Sequence, residues 1–393
     1  MFSSRLPREL FPNTLTRSVA THRAARRPML DLTATNPTTA GLAYPQDLLA
    51  SLSSPAALEY RPEPFGSIQA REAVARDYAR RGTTVAPDRI VLTASTSEAY
   101  SLLFKLLCDA GDAVLVPAPS YPLFEHLSHL DAVQPLTYRL EYHGQWMVDE
   151  HSVDSSWTDS TRAVLAVSPN NPTGSWLSPE DERMLSARCA ERNAALIIDE
   201  VFADYPLAPF APPAPSAPFA PSPPFAPPLT FRLGGLSKSA GLPQVKLGWI
   251  AAVGPERLVA DALRRLEVIC DTYLSVSTPV QSAASELIDG GAAVRAAILE
   301  RIRRNHAALS QALPPDSCTE LLRSDAGWSA VLRVPSTVPE EQLVLRLLEE
   351  DDVLVHPGYF FDFPHEAFLV LSLLPPVSEF DEGVRRVLRR LHG

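Results

Sequence analysis

The sequence predicts an α/β protein: a large, mostly parallel (mixed) sheet sandwiched by helices, followed by a smaller α+β domain. Three observations lead there. From about residue 65 to 270, short apolar runs alternate with helical patterns, the spacing that lays parallel strands side by side under covering helices. Those runs are apolar along their whole length, as strands buried on both faces require. And 393 residues suffice for a large core and two domains.

Taken in order, a helix runs from Ser67 toward Arg81 and stops at Gly82. The strand Ile90–Thr93 leads into a helix that passes through Cys108 and ends before Gly111. Residues 113–117, 163–167 and 195–199 read as buried strands. Between the last two, Ser178-Pro179-Glu180-Asp181 announces a helix: a cap, a proline in the first turn, then acids on the positive helix end. Residues 206–228, with repeated A-P-F-A-P units, break the alternation. Fixed φ angles and missing donors keep such a segment out of a sheet, so it reads as a polyproline-rich surface insertion. After about residue 280, helices near 281–312 and 338–351 and strands near 327–334, 353–355 and 367–373 suggest the smaller domain. The expected division is an arm over 1–35, a large domain over 36–275 and a small one over 276–393.

Composition narrows the function. A net charge of −11 argues against a general nucleic-acid binder, because phosphate backbones need a basic face. Only the first thirty residues lean basic, with Arg5, Arg8, Arg17, Arg23, Arg26 and Arg27. Leu6, Leu10, Leu15 and Val19 recur there at roughly helical spacing, so this stretch reads as a surface arm or a helix docking on a partner subunit. Cys108, Cys189, Cys270 and Cys318 form no C-x-x-C pair; free thiols in a reducing compartment are expected. No apolar run is long enough to span a bilayer. Cytoplasmic location, without membrane or nucleic acid as partner, is the expectation. No HExxH, Walker loop or strand-linked G-x-G-x-x-G occurs, so neither zinc nor nucleotide chemistry has support and no metal is expected. His126 and His129 read as a partly exposed helix face.

Several motifs sit where strands end. Thr93-Ala94-Ser95-Thr96-Ser97-Glu98 contains an S-x-x-E capping box, and small hydroxyl residues at a helix start also make a phosphate cradle. Read alone, it fits a capped helix equally well. Tyr121 in Pro119-Ser120-Tyr121-Pro122 follows the 113–117 strand, where an aromatic can stack on a flat ring; a tyrosine in a turn is the plain alternative. Asn171 lies in Ser168-Pro169-Asn170-Asn171-Pro172-Thr173-Gly174. Asp199 ends an apolar strand, and a carboxylate there is costly to desolvate unless paired. Lys238 follows in Leu236-Ser237-Lys238-Ser239-Ala240-Gly241, where burial can lower its pKa and make it a nucleophile toward an aldehyde.

Together, S-P-N-N-P-T-G, I-I-D-E-V and L-S-K-S-A-G-L-P-x-x-K-L-G-W resemble the signature of class I/II aminotransferases, pyridoxal 5'-phosphate (PLP) enzymes of fold type I. The resemblance extends from about Asp31 to Leu371-Ser372. It implies an aminotransferase moving an amino group between an amino acid or amine and a 2-oxo acid, with Lys238 carrying PLP as a Schiff base. It further implies that Asp199 pairs with the ring nitrogen, Asn171 with the ring O3', and that Tyr121 stacks on the ring. Ser95, Thr96 and Ser97, with Ser237 and Lys246, would hold the phosphate end, joined by Tyr60 of the partner subunit in a homodimer. The loop from Asn36 through Gly41, with Asn171, would line the substrate pocket.

Four positions depart from the family's pattern. Phe202 replaces a tyrosine that donates to O3', with Tyr205 as a possible substitute donor; Gly235 replaces a serine; Lys246 replaces an arginine, giving a point charge in place of a planar fork. Val370 stands where the family's substrate-binding arginine is expected. Losing that charge-assisted bond costs about 1.5–3 kcal/mol, so either another group holds the substrate carboxylate or the substrate lacks one. Backbone N–H groups near Gly41, the Asn171 side chain and an apolar wall from Trp328 and residues 358–361 are the candidates. Ordinary dicarboxylate exchange is not expected. The same fold also supports β-lyases, decarboxylases and racemases, which differ in the Cα bond aligned with the ring. A non-catalytic PLP-binding regulator is disfavoured by the acidic chain and the absence of a DNA-binding extension.

Overall fold

The computed structural model describes residues 2–207, 227–274, 276–314 and 316–392. Nearly all of the Pro-rich segment 206–228 thus lies outside the described residues. Pro206, at its entrance, forms an isolated antiparallel bridge with Ala326.

Among the described residues, eight strands form the main sheet. Their spatial order is Ile90–Thr93, Gly248–Val253, Thr230–Gly235, Ala195–Asp199, Thr161–Val167, Ala113–Ala118, Gln134–Tyr142 and Trp146–Val148. The run from Thr230–Gly235 to Gln134–Tyr142 is parallel. Gly248–Val253 is antiparallel to both of its neighbours, so Ile90–Thr93 points the same way as the parallel set. Six strands therefore end on one side of the sheet, at Thr93, Ala118, Tyr142, Val167, Asp199 and Gly235. Ligands of open α/β sheets bind outside such carboxyl ends.

Both faces are covered, as the unbroken apolar runs require. Val114, Leu165, Ile197 and Leu233 pack on one side with the helices Thr96–Leu107 and Glu256–Tyr273. Leu115, Val164, Leu196 and Ile198 pack on the other. Each such side chain contributes about 1.5–3 kcal/mol through burial, enough to hold the polar edge segments in fixed positions.

The smaller sheet has the order Glu320–Leu321, Ser329–Arg333, Phe368–Ser372, His356–Pro357, antiparallel throughout. The chain's beginning is stitched onto this region: Leu30–Asp31 pairs in parallel with Val353–Leu354. The first helix is shorter than the leucine spacing predicts. It spans Thr14–Ala24, started by Asn13, whose side chain accepts the Thr16 N–H at 2.8 Å. Pro7 and Pro12 precede it, and proline donates no backbone bond; Leu6 and Leu10 consequently fall outside the helix, exposed. The helix lies on Glu340–Asp351 of its own chain, and Arg27 just beyond it donates to Asp352 at 2.6 Å. The expected 281–312 helix is two, Thr278–Ser282 and Ala284–Ala312.

All four cysteines are free, Cys189 and Cys270 buried and Cys318 exposed. Among the described residues no helix is long and apolar enough to cross a membrane.

Candidate active site

The edge begins at Ser95. Its backbone is extended, and its hydroxyl accepts the Glu98 N–H at 3.1 Å, while the Glu98 carboxylate accepts the Ala94 N–H at 2.5 Å. The capping box is thus closed one residue earlier than its usual reciprocal bond. Thr96 and Ser97 fill the first turn, half-buried, where N–H groups have no intrahelical acceptor and the helix end is positive. Gly248 lets the neighbouring strand press against this corner: a Cβ there would stand 2.9 Å from the Ser95 carbonyl carbon. Across from it, a Cβ at Gly235 would stand 3.1 Å from the Leu247 carbonyl oxygen, a tight approach. Lys246 has left-handed backbone (φ 61°) and is exposed. It lines a cleft of about 280 Å³ together with Ala94 and Glu98.

Three strands in from Ile90–Thr93 lies Asp199, 6% exposed. One carboxylate oxygen accepts the Val201 N–H at 3.0 Å, the other the Tyr100 hydroxyl at 2.8 Å. No cation lies within ion-pairing distance of it among the described residues. Burial pushes its pKa up to about 6, against the lowering effect of those two donors. Its neighbour Glu200 faces away, paired with Arg232 and, at 3.7 Å, with Arg81, as strand alternation demands. Tyr100 was not legible as a site residue; its one signal is the four-residue spacing from Thr96, which puts both on one helix face.

Lys238 stands in the short helix Leu236–Ser239 that follows Thr230–Gly235, with Ser237 half-buried beside it. Its Nζ lies 4.9 Å from the Trp328 ring centre and 5.6 Å from that of Phe202. Desolvation lowers its pKa, opposed by the Asp199 charge. Phe202 therefore supplies a ring face to the amine in place of a hydroxyl. Nor is Tyr205 a substitute donor, because its hydroxyl is committed to the Lys238 backbone carbonyl at 2.5 Å.

A cavity of about 170 Å³ opens beside this constellation, lined by Tyr121, Asn171, Ser329, His356, Phe360 and Val370 among others. Trp328, which faces the amine, is followed directly by Ser329, whose hydroxyl donates to Asn171 Oδ1 at 3.3 Å. Burial and the Asp199 charge both raise the Tyr121 pKa, so its ring stands near that acid. A Cβ on Gly41 (φ 66°) would stand 3.9 Å from Pro376; Gly41 does not line the cavity, whereas Thr35, just before its loop, does. Tyr60 is 64% exposed on this chain and is not drawn into the cluster.

A desolvated lysine beside a buried acid that has no cationic partner is a donor set suited to an aldehyde cofactor with a basic ring nitrogen. The ring N–H would provide what Asp199 lacks, and the start of the Thr96–Leu107 helix fits a phosphate. Fold and site thus define a PLP enzyme of fold type I. The particular family follows from comparison with known proteins. Residues 30–387 match the model of "Aminotransferase class I and II", and the chain belongs to that family. It is 26% identical over 382 residues to the glutamate-pyruvate aminotransferase AlaA of Escherichia coli K12, covering 93% of this chain and 91% of that one. It is also 26% identical over 320 residues to an alanine aminotransferase of Mycobacterium tuberculosis H37Rv, covering 76% and 70%. The solved alanine aminotransferase from Pyrococcus furiosus superposes with a TM-score of 0.85 at 22% identity over 98% of each chain. The protein is a PLP-dependent aminotransferase.

Proposed function

We propose that Lys238 is the covalent anchor of PLP and the group that moves the proton during amino transfer. The single observation that carries this is a desolvated Lys238 amine near a buried Asp199 that has no ion-pair partner among the described residues. When bound, PLP supplies an aldehyde that condenses with amines and a ring that takes up the electron pair released at the substrate Cα. Asp199 keeps the ring nitrogen protonated by accepting its N–H, and Tyr100 holds that carboxylate in place. Ser95, Thr96, Ser97 and Ser237 donate to the phosphate, Lys246 adds a point charge, and Tyr60 of the partner subunit completes the shell in a homodimer. Asn171 donates to the ring oxygen, Tyr121 covers the ring face, and the loop from Asn36 to Gly41 closes the substrate side.

The substrates are an amino acid or amine as donor and a 2-oxo acid as acceptor, small molecules in a cytoplasmic setting. The relatives' names, glutamate-pyruvate and alanine aminotransferase, support that assignment. The cavity offers no lysine or arginine among its lining residues, so exchange of glutamate with oxaloacetate is expected to be poor. The test is an absorbance titration of purified holoenzyme with a panel of amino donors. The cofactor band is expected to vanish with one donor class and return on adding a 2-oxo acid. Release of pyruvate and ammonia, or of carbon dioxide, without that reversible loss would contradict transamination.

A further inference from the structure

The substrate cavity has lost a cation at position 370, yet the register of the small sheet puts another polar group in the same place. Val370 pairs directly with His356 across antiparallel strands. Side chains directly opposite each other leave the same face of the sheet, with Cβ atoms about 4.5–5.5 Å apart. A group at 356 therefore reaches the volume that a side chain at 370 would occupy, and both line the cavity.

The His356 ring is fixed for such a task. It stacks on Phe360 with centroids 5.0 Å apart and planes 7° apart, and it meets Phe361 edge-on at 5.6 Å. The turn that carries Phe360 and Phe361 is in turn held by Glu340, which accepts the Gly358 N–H. Two aromatic contacts leave the imidazole little rotational freedom. Its ring nitrogens make no hydrogen bond among the described residues, and the half-buried ring lines the cavity, so its polar edge is open to a ligand there. Burial, against a weaker opposing effect of Asp31, pushes its pKa down to about 4, so the ring is a neutral N–H donor. Asn171, on the same cavity, has its Oδ1 engaged by Ser329, which turns its amide N–H₂ outward as a second donor.

We propose that His356, with Asn171 beside it, receives the substrate carboxylate in place of the missing arginine, as a neutral hydrogen-bond donor from the opposite strand. This rests on the aminotransferase reading, since the 2-oxo acid acceptor, and an amino-acid donor with it, then presents a carboxylate to this cavity. A neutral receptor gives weaker hold on a second, distal carboxylate and favours compact monocarboxylic substrates beside the aromatic wall.

The test uses holoenzyme and two unreactive probes of one carbon skeleton, 3-phenylpropanoate and 3-phenylpropanamide, with binding read by titration calorimetry. Neither probe carries an amine, so the result is independent of whether any donor discharges the cofactor. His356→Ala is expected to weaken the acid at least about tenfold and the amide less than about threefold; tenfold corresponds to 1.4 kcal/mol. His356→Gln, which keeps an N–H donor, is expected to retain acid binding to within about threefold. Equal weakening of both probes in His356→Ala would make the ring a mere wall and overturn the assignment. So would unchanged acid binding, or an acid that does not bind the wild-type enzyme at all. Failure of the transaminase reading shows elsewhere, in a cofactor band that no amino donor discharges.

Discussion

The cofactor edge and the substrate wall solve opposite problems a few residues apart. At the edge, Asp199 is kept as a buried acid with two neutral donors and no cation, beside the desolvated Lys238. At the wall, Val370, Phe360 and Phe361 are apolar, and the polar lining is Tyr121, His356, Asn171, Thr35 and the serines at 329 and 372, without a charged side chain. The first arrangement is unstable without a partner of defined chemistry; the second tolerates many partners. A charge buried for a purpose constrains the groups that meet it: Lys238 and Asp199 keep the family's residue types, while Phe202, Gly235 and Lys246 around them depart from its pattern, as Val370 does at the wall.

Substitutions should separate the two regions. The largest effect is expected at Lys238. Lys238→Ala should lose the covalent cofactor and lower the half-reaction rate by 10²–10⁴-fold or more, as removal of a positioned proton-transfer group does; single-turnover absorbance measures it. Asp199→Asn should weaken cofactor retention by about 1.5–3 kcal/mol, a charge-assisted bond, read as the rate of PLP loss on dialysis.

The same acid carries a pH signature. In the apoprotein Asp199 keeps its proton to about pH 6, whereas its ordinary value is 3.8. The native state then binds more protons than the unfolded chain between those values. Stability contributed by the group is therefore full below about 3.8, falls as pH rises to about 6, and is level above. The fall amounts to about 3 kcal/mol and should be absent in apo Asp199→Asn, by denaturant unfolding from pH 4 to 7. Tyr100→Phe removes one hydrogen bond to the carboxylate and should cost about 1 kcal/mol of cofactor affinity while moving the Asp199 transition to higher pH. The smallest effect is expected at Ser95→Ala, about 1 kcal/mol from the lost cap, visible as a lower midpoint in apoprotein melting.

Legibility followed a different line, local chemistry against tertiary contact. Strands Ile90–Thr93 and Ala195–Asp199 and the helix capped by Ser178 were readable because local chemistry specifies them: apolar runs, a cap, a proline in the first turn. Lys238, Asp199 and Asn171 were open to nomination as candidates because their motifs are local too. Tyr100 and His356 were not. Tyr100 meets Asp199 across 99 positions of chain, and His356 gains its meaning only from the register with Val370, which no spacing in the sequence reveals. Tyr205 misled for the same reason, since a hydroxyl's partner is set by the tertiary path. The helix of the arm is shorter than its leucine spacing suggests because Pro7 and Pro12 leave Leu6 and Leu10 outside it.

The covalent link is the point on which edge and wall both depend. Treating the holoenzyme with borohydride and mapping the digested peptides should place a reduced pyridoxyl group on the Lys238 side chain and on no other amine. Reduced cofactor on a different lysine, or none retained after denaturation, would contradict the account.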